Sequence, residues 1–298
     1  MPTVKIVEVG PRDGLQNEKT PIPVAEKLAF IKRLAESGLK HIELTSFVRP
    51  DAIPQLADAE ELAKLALADP ALAGVRLSCL VPNMKGMEKA VALGVKEVAL
   101  FVSATEGFSK KNINATIAEA HARQVPVAQA AAAAGIRIRG YLSCVFGCPY
   151  DGAVSLAQVE EGVGRLKELG VYEVSLGDTI GVATPRAVED VVKVVSRVVP
   201  MEQIALHFHD TRGMALVNAY AGWQAGVRVF DASAGGLGGC PYARGASGNV
   251  ATEDMVYLFE SLGLQVGVDV HALAAASEPV FAVLGRKSAS KLHGILTA

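Results

Sequence analysis

Apolar and polar positions along the chain fall into two alternating rhythms. Stretches with a helical period give way to short apolar runs, and the joint between them is usually a glycine. This phrase occurs at Gly38, Gly74, Gly94, Gly135, Gly170 and Gly226. Glycine suits the left-handed residue just past a helix, and the apolar run that follows reads as a buried strand. Recurrence of the phrase points to stacked βα units. Strands are predicted near 4–9, 41–47, 76–82, 97–103, 137–146, 173–179, 203–210 and 228–234. Helices are predicted over 24–37, 55–68, 84–93, 115–134, 156–169, 185–198 and 214–225, with a last one starting near Thr252. Eight parallel strands with intervening helices predict a closed (β/α)8 TIM barrel rather than an open sheet. An open doubly wound sheet usually carries a phosphate-binding glycine loop after its first strand. Here that place holds Gly10-Pro11-Arg12-Asp13-Gly14. The 298 residues suit one barrel domain, 1–298, with a Gly-rich lid loop after the eighth strand and a helical extension over 269–298.

Charge narrows the partners. With 29 basic and 31 acidic side chains the net charge is −2. There is no basic field for nucleic acid and no polybasic run for an anionic membrane. No apolar run reaches the length of a membrane span. Cys79, Cys144, Cys148 and Cys240 lack a CxxC spacing and read as free thiols in a reducing, cytoplasmic setting. The N-terminus runs directly into an alternating strand, with no signal core or transit segment expected.

In barrels of this kind the chemistry gathers at the C-terminal ends of the strands. The first predicted strand ends in Arg12 and Asp13, the second carries Glu43, Thr45 and Ser46, and the sixth ends in Asp178 and Thr179. The seventh ends in His207-Phe208-His209, and the eighth carries Asp231 and Ser233. Residues i and i+2 of a strand share a face, so His207 and His209 make half of a metal site; the alternative is a pair of hydrogen-bonded core histidines. Asp13 is the natural anionic ligand, since strand one lies two places from strand seven around the ring. Its alternative is a turn cap. Asn249 offers a neutral oxygen, or simply turn geometry at Gly248-Asn249. Two nitrogens with several oxygens suit Mg²⁺ or Mn²⁺ better than zinc. Arg12 is placed to polarise a carbonyl, or else to seal the barrel with a salt bridge. Cys240 lies in a glycine-dense loop that reads as a mobile lid carrying an acid or nucleophile. Cys79, Cys144 and Cys148 read as buried and inert.

The segment Glu8-Val9-Gly10-Pro11-Arg12-Asp13-Gly14-Leu15-Gln16-Asn17-Glu18 resembles the opening of hydroxymethylglutaryl-CoA lyases. The stretch from Gly235 to Asn249 is similar to the signature loop of that family, and similarity covers nearly the whole chain. The resemblance implies metal-dependent retro-Claisen cleavage of 3-hydroxy-3-methylglutaryl-CoA to acetoacetate and acetyl-CoA. It implies Asp13, His207, His209 and Asn249 as metal ligands, and Arg12, Glu43, Asp178 and Cys240 as substrate or catalytic residues. Gln16 and Ser46 join Arg12 as expected substrate contacts. Asp178 or Glu43, with His207 assisting, is the expected proton acceptor. Arg12 would stabilise the departing enolate and Cys240 would protonate it. Lys85, Lys110 and Lys111 are candidates for the CoA phosphates from charge alone. A homodimer is expected. The alternatives are a lyase for a longer branched 3-hydroxyglutaryl-CoA and a Claisen-type synthase running in reverse.

Overall fold

The computed structural model describes residues 3–239 and 248–298. Eight strands run in order β1 Lys5–Glu8, β2 His41–Ser46, β3 Arg76–Leu80, β4 Glu97–Ser103, β5 Arg137–Ser143, β6 Glu173–Asp178, β7 Ile204–Phe208 and β8 Val229–Ala232. Each pairs in parallel with the next, and β8 closes on β1 through Lys5–Val229 to Glu8–Ala232. The barrel predicted from the glycine-punctuated pattern is therefore the observed fold. Gly38, Gly94, Gly135, Gly170 and Gly226 take the left-handed conformation that the pattern requires, whereas Gly74 does not.

Helices α1 Val24–Glu36, α2 Ala59–Ala68, α3 Met84–Leu93, α4 Glu106–Ile113, α5 Ile117–Ala133, α6 Leu156–Glu168, α7 Pro185–Val195 and α8 Ala215–Gln224 surround the strands. α9 Thr252–Ser261, α10 Val270–Leu284 and α11 His293–Leu296 follow β8. α4 was not predicted. The predicted helix from 55 is a single 3-10 turn at Pro54–Leu56 followed by α2. The strand expected to run to 146 stops at Ser143, where Cys144 turns left-handed at φ 61°.

Outward positions of the strands form the main core against the helices, as with Ile42, Leu44, Val174, Leu176 and Leu206. Inward positions are more polar than the branched aliphatic layers usual in such barrels. Small apolar residues, Val7, Val9, Ala205 and Val229, fill only part of the interior. Alongside them runs a column of paired charges: Lys5 to Glu173, Glu173 to Arg139 at 2.7 Å, and Arg139 to Asp231 at 2.7 Å. Buried charge is tolerated because each member is paired and hydrogen-bonded.

Glu8 joins three elements at the rim. Its carboxylate accepts the N–H groups of Gly10 and Ala234, at 2.8 and 2.9 Å, and the Thr252 hydroxyl at 2.7 Å. Burial nonetheless pushes its pKa up to about 7 from an ordinary 4.5. A carboxyl raised in the folded state holds its proton better there than in the unfolded chain. Its contribution to stability is therefore fully present below pH 4.5 and is lost as pH rises through 7. At about 1.4 kcal/mol per pH unit the loss is on the order of 3 kcal/mol. Glu8→Gln should flatten the fall in unfolding free energy between about pH 4.5 and pH 7. Denaturant melts across that range check it, and an unchanged slope would refute the assignment.

Candidate active site

After β1 the chain turns back through Gly10–Gly14, a single π turn in which the N–H groups of Arg12, Asp13 and Gly14 all reach the Val9 carbonyl, at 3.2, 2.7 and 3.2 Å. Pro11 has no N–H to contribute, so it sits in the first turn without loss. The wide turn carries Arg12 and Asp13 together over the barrel mouth. Asp13 Oδ2 lies 4.0 Å from His207 Nε2 and 3.8 Å from His209 Nε2. One ligand atom from each of these three residues lies within 4.8 Å of the others. Ligands on one six-coordinate Mg²⁺ at ~2.1 Å stand roughly 3 to 4.2 Å apart, so a small contraction brings these atoms onto an ion.

Asn249 completes the set. An isolated bridge pairs it with His209. Its Nδ2 donates to Asp13 Oδ2 at 3.0 Å and to the Leu237 carbonyl at 3.1 Å, which fixes the amide orientation. Its Oδ1 is buried and has no hydrogen-bond partner among the described residues. A buried acceptor without a donor is costly unless a cation meets it. The donor set of two imidazoles, a carboxylate and an amide oxygen thus fits a divalent metal.

Arg12 is held as a fork. Its Nε donates to Glu43 Oε2 at 2.7 Å and its Nη1 to Asp13 Oδ1 at 2.5 Å, and its guanidinium lies 5.4 Å from the centre of the Tyr141 ring. Burial works to raise the Asp13 pKa, but the Arg12 charge and the two histidines hold this carboxyl far below its usual range. Asp13 is an anion at any physiological pH. Burial raises Glu43, with Arg12 opposing. For His207, burial is outweighed by the hydrogen bond to Asp231 and the charge of Asp13, which raise it.

These groups open onto a cavity of about 630 Å³. Arg12, Asp13, Gln16, Ser46, His207 and His209 all line it, opposite an apolar wall that includes Leu80, Phe101 and Phe108. Gln16 Nε2 donates to Asp13 Oδ1 at 3.1 Å. The Ser46 hydroxyl is buried and has no hydrogen-bond partner among the described residues. A register shift between Glu43 and Thr45 re-aims β2, so that Glu43 and Ser46, three residues apart, both serve the same side.

Two expected catalytic residues stand apart from the cavity wall. Asp178 is 1% exposed, and its two oxygens accept the N–H groups of Val182 and Ala183, each at 2.9 Å. Along β6 and one residue past it, Ser175, Gly177 and Thr179 face the cavity, so Asp178 points outward and ties down the following loop. Glu43 is fully buried beneath Arg12, with Oε2 shared between Arg12 and the Tyr141 hydroxyl at 3.2 Å. Cys240 lies outside the described residues. Cys79, Cys144 and Cys148 are buried free thiols. Lys110 and Lys111 are exposed on α4, whose Phe108, Asn112 and Ile113 line the cavity mouth. Lys85 is exposed on α3. Tyr141, Arg139 and Ser175 were not picked out from the sequence. Their signal was available: they occupy the inward parity of β5 and β6.

The family model described as HMGL-like matches residues 3–280. The chain belongs to the HMGL-like family. A relative from Pseudomonas aeruginosa, named 3-hydroxy-3-isohexenylglutaryl-CoA/hydroxy-methylglutaryl-CoA lyase, is 50% identical over 295 residues, which is 99% of this chain and 97% of the relative. The crystal structure of a hydroxymethylglutaryl-CoA lyase from Pseudomonas aeruginosa matches with a TM-score of 0.95 at 50% identity, covering 99% of this chain and 98% of that one. An HMG-CoA lyase from Acinetobacter baumannii, solved with coenzyme A and 3-methylmalate, matches with a TM-score of 0.92 at 37% identity over 98% of this chain and 94% of that one. This HMGL-like chain is accordingly an enzyme of the lyase class.

Proposed function

We propose that the chain cleaves 3-hydroxy-3-methylglutaryl-CoA into acetoacetate and acetyl-CoA, acting as one lyase domain over 1–298 with 269–298 as its extension. The observation that carries this reading is that Arg12 and the Asp13–His207–His209 cluster open onto one cavity in a chain of the HMGL-like family. The similar proteins above are named as lyases, so cleavage rather than synthesis is the direction proposed.

In the reaction the bond between the tertiary carbon and the thioester methylene breaks. The hydroxyl oxygen becomes the ketone of acetoacetate as its proton passes to Glu43, the expected acceptor that lies beside Arg12, with His207 assisting from the cavity wall, and the electron pair of the broken carbon–carbon bond passes to the thioester enolate. Asp13, His207, His209 and Asn249 would hold a divalent cation, Mg²⁺ or Mn²⁺, which supplies acidification of that hydroxyl when bound. Arg12, held flat by Glu43 and Asp13, presents its remaining N–H groups to the cavity, where enolate charge on the thioester oxygen would develop. Gln16 and Ser46 orient the acyl group from the same wall. Cys240, by the family resemblance, returns a proton to the methylene carbon. The apolar wall of Leu80, Phe101 and Phe108 excludes water from the carbanion. Asp178 acts through the loop it anchors. The CoA phosphates lie toward Lys110 and Lys111 at the mouth. A homodimer in a cytoplasmic setting completes the proposal.

A coupled assay for acetoacetate tests it. Turnover should be present with Mg²⁺ or Mn²⁺, fall at least ~100-fold after EDTA, and return when metal is restored. Metal-loaded protein that releases no acetoacetate would sink the proposal. Running a longer branched 3-hydroxyglutaryl-CoA beside it reads the acyl preference.

A further inference from the structure

His207 has two ring nitrogens, and only one faces Asp13 and His209. The other, Nδ1, lies 3.3 Å from Asp231 Oδ2. Asp231 is 1% exposed and its carboxylate is fully engaged. Oδ1 accepts Arg139 Nη2 at 2.7 Å, while Oδ2 accepts the Ser175 hydroxyl at 2.7 Å and Arg139 Nη1 at 3.1 Å. Arg139 is itself held from below by Glu173 at 2.7 Å. The register explains the contact: His207 and Asp231 are direct partners across β7 and β8 and share the inward face.

A carboxylate gripped on both oxygens by one guanidinium and a hydroxyl cannot swing away, and it is an acceptor only. The ring nitrogen beside it must therefore carry the hydrogen. The geometry points to Asp231 as a positioning residue for the metal site: it fixes His207 as the tautomer with hydrogen on Nδ1, so that the Nε2 lone pair faces Asp13 and His209. Arg139 and Ser175 act through it, setting the carboxylate that sets the ring. Metal-bound histidines commonly depend on such a partner, and its loss weakens affinity by roughly 10- to 100-fold. This inference rests on the metal reading of the site proposed above.

Asp231→Asn is the decisive substitution because it keeps the shape and changes the donors. Arg139 would claim the amide oxygen, leaving the NH₂ to face His207. That geometry makes Nδ1 an acceptor and moves the ring hydrogen to Nε2, which then cannot ligate. Mn²⁺ affinity, measured on the full chain by the EPR signal of free Mn²⁺, should fall at least tenfold. Ser175→Ala, which removes one hydrogen bond to the same oxygen without reversing any donor, should weaken Mn²⁺ much less. Equal Mn²⁺ affinity in wild type and Asp231→Asn overturns the positioning role while leaving the metal site intact. Wild-type protein that takes up no Mn²⁺ overturns the metal reading, and this inference with it. A second measurement stands even where Asp231→Asn does not fold. In ¹⁵N-histidine spectra of the Mg²⁺-loaded wild type, the His207 ring, assigned by its absence in His207→Gln, should carry hydrogen on Nδ1. Hydrogen on Nε2 instead would refute the inference.

Discussion

Replacing Asp13 with alanine is expected to lower Mn²⁺ affinity by more than ~100-fold, beyond what loss of a supporting residue causes, and to remove turnover at ordinary metal concentrations. Asp13 is the one anion of the Asp13–His207–His209 cluster. A dication held by neutral imidazoles and an amide oxygen alone is poorly compensated, and hard ions such as Mg²⁺ favour charged oxygen. The substitution also releases two neighbours. Arg12 loses the partner of its Nη1, and Asn249 loses the acceptor that aims its Oδ1. Free-Mn²⁺ EPR on the purified variant, with thermal unfolding as the control for folding, measures the effect. Affinity within tenfold of wild type in a folded protein would mean that the cluster is not the metal site.

The barrel was legible because its signal is carried by many weak local repeats that agree. Each strand is a buried apolar run and each preceding helix ends in a residue that must leave helical geometry. α4 was missed for a physical reason. Its eight residues bury only Phe108 and Ser109, too few turns for a 3.6-residue period to stand out. Yet α4 places Phe108, Asn112 and Ile113 on the cavity lining, so an element with little periodic signal bears on function. The Asp13–His207–His209 cluster was legible because His-x-His at a strand end obeys simple parity, and the ring order of strands brings Asp13 to it. Asp178 shows where rim counting goes astray. Being last in a strand says nothing about which way a side chain points, and the parity of Ser175 and Gly177 sends Asp178 outward. Ser46 shows the converse. It and Glu43 share a side only because β2 shifts register between them, and no sequence pattern in His41–Ser46 announces that irregularity. The polar column through Arg139, Tyr141 and Asp231 could have been read from inward parity. It was obscured because its members are distant in sequence and meet only when the barrel closes.

Arg12→Lys should reduce kcat by about 10²- to 10³-fold, the scale seen on removing one oriented donor from a site that stabilises developing negative charge. The substitution keeps the positive charge, so it separates orientation from electrostatics. Arg12 donates through Nε to Glu43 and through Nη1 to Asp13, and among the described residues neither of these bonds uses Nη2. The two bonds fix the guanidinium plane, and the Tyr141 ring lies alongside it. The free edge is thus pointed by its anchors into the cavity. An ammonium has no plane and no second arm. Its three donors diverge from one nitrogen, so pairing with Glu43 and Asp13 fixes that nitrogen between them and leaves no second arm to reach the substrate. Both carboxylates are buried, so the lysine should be drawn down to them, away from the place where enolate charge develops. KM and Mn²⁺ affinity should change far less than kcat, since the metal ligands and the cavity wall remain. Steady-state kinetics at saturating Mg²⁺, with Mn²⁺ titration alongside, separate the outcomes. A kcat within threefold of wild type would show that charge at position 12 suffices and that the fork is structural. A collapse of Mn²⁺ affinity with kcat preserved at high metal would instead make Arg12 a support for Asp13, with no direct part in stabilising the enolate.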